Sequence, residues 1–265
     1  VFSFSVVTSI YLQLNTVLLG FLKNALAVGY FTAATKVMHM LLQMSSCLGS
    51  VMMPRASNLI AENKENEFNV LIQKSYDFTL AIALPMTIGL IFCAPSLITA
   101  LCGAKFENSI LPSQIIAPII LMVAISNVFG IQVLFPKGKI NIVTLCCGIG
   151  AVVDLVLNLC LIPFLSYIGT SIAYLGAEVA TTISMYFIGK KYIPIKYFKK
   201  NHIHYLVGCI VMAVVLYIVG SLHLPVLTIL ILQGVIGCLI YFAILYFQKE
   251  PLLIQFLSKI KNNKK

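Results

Sequence analysis

The chain has 265 residues, 60% of them hydrophobic and only 10% charged, with a formal net charge of +10 and a mean hydropathy of +1.00. A soluble domain is about one quarter charged, and a chain this apolar could not cover its own surface with polar groups, so the composition excludes a water-soluble protein. The charge is not a nucleic-acid footprint either: the lysines fall between apolar runs and at the C-terminal end, where they act as topology signals, and no nucleic-acid partner is expected.

Taken in chain order, eight apolar stretches are predicted to cross a bilayer as helices, at about 1–21, 30–53, 77–101, 110–135, 140–163, 167–188, 204–222 and 226–247, since about 20 apolar residues suffice for one crossing. The period-two alternation of a membrane β-barrel is absent. Pro54-Arg55 is expected to end the second span and Pro163 the fifth, with Gly169 early in the sixth. Pro85, Pro95, Pro112 and Pro118 are expected to interrupt the third and fourth spans, which neighbouring helices or a cavity would tolerate. The sequence opens on Val1 inside an apolar run, with no initiator Met and no charged leader before a cleavage site, and so reads as part of a longer frame rather than a signal peptide.

Alternate connections differ sharply in charge. One set holds Arg55, Lys64, Lys74, Lys137, Lys139, Lys190, Lys191, Lys196, Lys199 and Lys200, joined by Lys249, Lys259, Lys261, Lys264 and Lys265 in the tail. The other set has Lys23, Lys36 and Lys105. The positive-inside rule then places both ends of this chain in the cytoplasm, in keeping with an even number of spans. The run from Lys190 to Lys200 is a topology signal first, with contact to anionic lipid as a second use.

Cys47, Cys93, Cys146, Cys147, Cys160, Cys209 and Cys238 lie inside apolar runs and Cys102 just past one; with no CxxC spacing they read as small packing residues rather than metal ligands. There is no GxSxG, Walker A loop, HExxH or pair of loop carboxylates, so an enzyme is not expected.

Few polar groups fall at membrane depth. Asp154 and Asn158 lie one helical turn apart in span five, on one face. Glu178 is near the middle of span six; Lys36 is in the outer part of span two with His39 one turn deeper; Gln13 and Asn15 are in span one, and Thr170 and Ser171 at the start of span six. Ionisable groups at this depth cost roughly 2.5–3.5 kcal/mol on insertion scales and are functional candidates by default. Carboxylate and amide oxygens together suit a hard monovalent cation such as sodium, or a proton carrier. The plainer readings stay open beside these: Asn158 as a bond to a neighbouring helix, Asp154 as a neutral structural carboxyl, Glu178 as a structural hydrogen bond, Lys36 snorkelling to headgroups and His39 as a packed imidazole.

Several segments carry a resemblance. QLNTVLLGFLKNALAVGYFTAATK (13–36), SVMMPRASNL (50–59), LPMTIGLIFCAPSLITALCGAKFENSI (84–110), AISNVFGIQVLFPKGK (124–139) and VVDLVLNLCLIPFLSYIGTSIAYLGAE (152–178) resemble, in order, helices seven to twelve of the polysaccharide flippases. These are the O-antigen and repeat-unit transporters of the multidrug/oligosaccharidyl-lipid/polysaccharide exporter superfamily. The resemblance implies an all-α polytopic bundle of about eight transmembrane helices: the second six-helix lobe (1–188), a basic cytoplasmic loop (189–203), the final two helices (204–247) of a 14-helix exporter, and a basic cytoplasmic tail (248–265). The N-terminal lobe would be a missing partner.

It further implies a bacterial cytoplasmic-membrane flippase moving undecaprenyl-pyrophosphate-linked oligosaccharide by alternating access, with polymer-assembly proteins as further partners. No cofactor is implied beyond a coupling sodium ion or proton. Lys36 would meet the pyrophosphate and Glu178 the substrate cavity, while Asn15, Asp154, Asn158 and Thr170 match a coupling-ion site built from helices seven, eleven and twelve. Many members carry an aspartate where this chain has Asn15. The alternatives are a cation-coupled drug antiporter of the same superfamily and a non-transporting fragment of a flippase.

Overall fold

A computed structural model describes residues 13–248 apart from Phe198 and His223. The first twelve residues of the first predicted span, and the tail lysines from Lys249 onward, lie outside the described residues. Every regular element among the described residues is helical, as the apolar runs predict. Helix α1 is Gln13–Leu22, followed by α2 (Ala25–Ala61) and α3 (Glu65–Cys102). A broken span comes next, made of a 3₁₀ turn (Ala104–Ser109), α4 (Ile110–Ile116), α5 (Ile119–Asn127) and a π-helical segment (Val128–Leu134). Then come α6 (Ile140–Gly189), α7 (Lys200–Gly220) and α8 (Val226–Phe247).

Three prolines do less than their chemistry suggests. Pro54 lies inside α2, which runs on to Ala61. Pro85 and Pro95 both lie inside an uninterrupted α3. Packing on neighbouring helices keeps these segments helical where proline removes a bond. The fourth span does break, as expected: its halves bend by 43° where Pro118 separates α4 from α5. Its far end relaxes into π geometry, with the Phe135 amide donating to the Gly130 carbonyl five residues back. That register turns Gln132, buried, onto the Ser75 hydroxyl of α3.

The 50 residues of α6 would make a rod of about 75 Å, far longer than a bilayer is thick. The chain instead reverses at Ser166, whose φ of 53° and ψ of −131° are not helical, and Pro163 sits inside the helix just before this kink rather than ending it. The result is a hairpin of two membrane-crossing halves. Contacts at 150/181, 157/176 and 161/169 converge on the kink. Glycine makes the approach possible: a Cβ on Gly169 would lie 2.7 Å from the Leu161 carbonyl oxygen, and one on Gly150 would collide with the Thr181 hydroxyl.

Two apolar clusters fill the bundle, one toward each end. Leu19, Phe31, Met38, Ile98, Ile116 and Tyr174 belong to the first. Phe68, Tyr76, Phe129, Met185, Tyr205 and Tyr241 belong to the second, which receives α7 and α8. Large side chains such as Phe164, Phe187, Tyr217 and Phe247 point outward, as expected of helices that face lipid or a further protein surface.

Candidate functional site

The connections gather at two ends. At one, Tyr30 of α2 meets Phe106 and Tyr167 edge-on. In the same region Lys23 donates to the Pro163 carbonyl across 2.9 Å. That carbonyl lies just before the kink at Ser166, so Lys23 supports the reversal of the chain; by sequence it had read only as a loop charge. Asn24 starts α2 by accepting from the Ala27 amide at 2.9 Å. At the other end sit Lys64, Lys137, Lys139, Lys190, Lys196 and Lys199, tied together by bonds such as Lys137 to the Tyr192 carbonyl and Lys196 N–H to Gln73.

Between the ends, α1 meets the first half of α6. Asn158 donates through its single amide nitrogen to Asn15 Oδ1 at 2.8 Å, to the Asp154 carbonyl at 2.9 Å and to Asp154 Oδ1 at 3.1 Å. Asp154 and Asn158 are fully buried and Asn15 nearly so. Two oxygens of the cluster, Asp154 Oδ2 and Asn158 Oδ1, are buried with no hydrogen-bond partner among the described residues. A buried acceptor without a donor costs about 1–3 kcal/mol. A cation or a proton placed between these oxygens would remove that cost, and the donor set of carboxylate and amide oxygens fits a hard monovalent ion.

The remaining expected site residues are placed differently. Thr170 is fully buried on the second half of α6, but its hydroxyl turns to the Ser166 carbonyl of its own helix at 3.5 Å and is not bonded to the cluster. Glu178 is buried inside the lobe, 7% exposed, rather than open at its surface. Tyr174, itself buried, lies within electrostatic reach of both Asp154 and Glu178. Lys36 is exposed on α2, with no ion pair among the described residues, and His39 beside it is half-buried.

A second polar group escaped the sequence reading. Asp77 of α3 receives Gln73 Nε2 at 2.8 Å and faces His202 Nε2 at 3.1 Å through Oδ1, and receives Lys199 Nζ at 2.7 Å through Oδ2. The His202 Nδ1 in turn lies 3.0 Å from the Tyr197 carbonyl. Tyr76, Phe129, Tyr186, Tyr197 and Tyr205 pack their rings around this site, and burial pushes the Tyr197 phenol up to about 12. The group pins the basic connection and the start of α7 to α3. Asp77 lies 122 and 125 residues from Lys199 and His202, so no local pattern announces the group.

This arrangement of broken span, kinked hairpin and added helix pair has counterparts. A family model described as a polysaccharide biosynthesis protein matches residues 1–111. A putative O-antigen transporter of Escherichia coli (strain K12) is 26% identical over 180 residues, covering 67% of this chain and 42% of the relative. A putative O-antigen transporter of Shigella dysenteriae is 27% identical over 180 residues, covering 67% and 44%. Among solved structures, that of a lipid II flippase MurJ in an inward closed conformation superposes with a TM-score of 0.78 at 16% identity, covering 94% of this chain and 53% of that one.

The chain is similar in sequence to O-antigen transporters over about two thirds of its length, and its fold is that of the lipid II flippase structure. It spans less than half the length of the curated relatives it matches. It has the all-α architecture of apolar, membrane-length helices that its apolar runs predict.

Proposed function

We propose that this chain is the second lobe and final helix pair of a flippase that carries undecaprenyl-pyrophosphate-linked oligosaccharide repeat units across the bacterial cytoplasmic membrane for surface-polysaccharide assembly. The observation that carries the reading is the buried Asn15–Asp154–Asn158 cluster with two unmatched acceptor oxygens, set in a chain related to O-antigen transporters. The lysine-rich end faces the cytoplasm, by the positive-inside rule.

In this scheme Asn15, Asp154 and Asn158 hold a coupling sodium ion or proton. Binding there biases the packing of α1 against the α6 hairpin. Ion-coupled carriers place such sites near the midplane at the junction of moving parts. Alternating access then follows as rigid-body motion against the N-terminal lobe. Thr170 joins the ion only if its hydroxyl leaves the Ser166 carbonyl, and Glu178 acts from inside the lobe through Tyr174. Lys36, exposed on α2, is available to the pyrophosphate, where a fixed cation offsets the desolvation of the anion.

Complementation tests the reading. The complete reading frame is expressed in cells lacking their own repeat-unit flippase, and surface polymer is read with antibody or lectin. Restored polymer is the expected result. Absent polymer from a well-inserted protein, together with export of cationic dyes, would replace this reading by the cation-coupled drug antiporter.

A further inference from the structure

A cavity of about 360 Å³ opens at the lysine-rich end, lined by Asn63, Glu65, Phe68, Lys137, Lys139 and Tyr192. It is built by the turn Lys137-Gly138-Lys139 that joins the π segment to α6. Gly138 adopts a φ of +68°, which a residue with a Cβ takes up only with strain, and the reversal sets the two flanking lysines on one cavity. The Lys137 ammonium is largely enclosed, its side chain 18% exposed. It lies over the Phe68 ring, 5.0 Å from the centroid, and donates to the Tyr192 carbonyl at 3.1 Å. Lys139 lies over the Tyr192 ring at 5.2 Å.

Among the described residues the carboxylate paired with these ammoniums is Glu65, 3.8 Å from Lys137 and itself largely exposed. Lys139 is thus held by a ring with no ion pair among the described residues, while Lys137 is held by a ring, a carbonyl and one long, exposed ion pair to Glu65. The first turn of α6 also borders the cavity with no side-chain cap and no acidic residue, and adds partial positive charge to it. Volume and cation placement suit a phosphate group.

We infer that the Lys137–Lys139–Tyr192 cavity binds a phosphate group at the membrane surface, the headgroup of an anionic phospholipid being the source the location favours. The site is separate from the Asn15–Asp154–Asn158 cluster and does not depend on what the transporter carries. Seating a headgroup there would tie α3, α6 and the basic connection after α6 to the surrounding leaflet.

Native mass spectrometry of the full-length protein, with added phosphatidylglycerol as the probe, tests this. The double variant Lys137→Gln/Lys139→Gln is expected to weaken retention of the first bound phosphatidylglycerol by roughly tenfold or more. The control Lys190→Gln/Lys191→Gln removes two exposed lysines of the same end and should weaken it clearly less than the first double does. Equal losses in the two doubles, or none in the first, would overturn the site. If loss of the Tyr192 contact prevents folding of the first double, Lys139→Gln alone must still weaken retention, since that ammonium has no hydrogen bond among the described residues. Phosphatidylcholine retained as tightly as phosphatidylglycerol would also overturn it. Displacement by inorganic phosphate would point to a soluble phosphate as the source, and resistance to displacement to the lipid headgroup.

Discussion

Two aspartates in this chain face opposite circumstances. Asp77, near the lysine-rich end, has both oxygens engaged, by Gln73, His202 and Lys199. Asp154, fully buried between α1 and α6, has one oxygen engaged by Asn158 and the other by nothing among the described residues. A carboxylate whose acceptors are all matched is a strut: its energy is realised in the fold. A carboxylate held with an unmatched oxygen keeps a capacity that only a ligand or proton can use. Burial alone does not distinguish the two, and neither does residue type; the count of satisfied acceptors does.

The largest expected effect separates the two in function. In complementing cells Asp154→Ala should reduce surface polymer by about tenfold or more at equal amounts of inserted protein, the scale of a lost coupling interaction. Asp77→Asn should leave polymer per inserted molecule within about twofold of wild type. Parallel losses in both would end the distinction.

Next in size is the hairpin that presents Asp154. Gly150→Val forces a branched side chain into the Thr181 hydroxyl and the Ala177 carbonyl. Overpacking of this kind costs about 1–3 kcal/mol, so the melting temperature of the purified protein should fall by several degrees. An unchanged melting temperature would mean that the halves of α6 are not pressed together there.

Asp77→Asn should lower melting by a smaller amount, about 1–2 kcal/mol for a partly exposed charged network, and the loss should shrink in high salt, which screens the Lys199 pair. A salt-independent loss would show that ring packing, not the charges, holds the connection. Asn15→Asp sharpens the comparison from the other side. It places a second carboxylate on the cluster, so sodium should raise the melting temperature more than it does in the wild type, read against choline at equal ionic strength. No difference between the two salts in either protein would remove the cation reading.

The smallest effect belongs to Lys64→Gln. Lys64 pairs with Glu62 at 2.7 Å, but both side chains are more than half exposed. The hydrogen bond to Glu62 raises the ammonium's pKa above the ordinary lysine value, yet water screens the pair. Melting and transport should both stay at wild-type values.

Much of this molecule was legible in the amino-acid order. Apolar run length specifies helices that cross a bilayer, because a backbone in hydrocarbon must satisfy its own hydrogen bonds. Lysine placement specifies which connections share an end. The i, i+4 spacing of Asp154 and Asn158 puts them on one face, and the run of short motifs carries the likeness to the polysaccharide flippases. What remained for the tertiary structure were effects that depend on neighbours distant in the chain. Pro54, Pro85 and Pro95 stay inside helices because packing replaces what they remove, whereas reversal falls at Ser166, where Lys23 meets the carbonyl of Pro163. Asn15 reaches Asn158 across 143 positions and His202 reaches Asp77 across 125. Whether an acceptor is matched depends on which donors arrive, and no local pattern carries that information. Sequence determined which groups enter the membrane; only the packed bundle decided which of them are satisfied there.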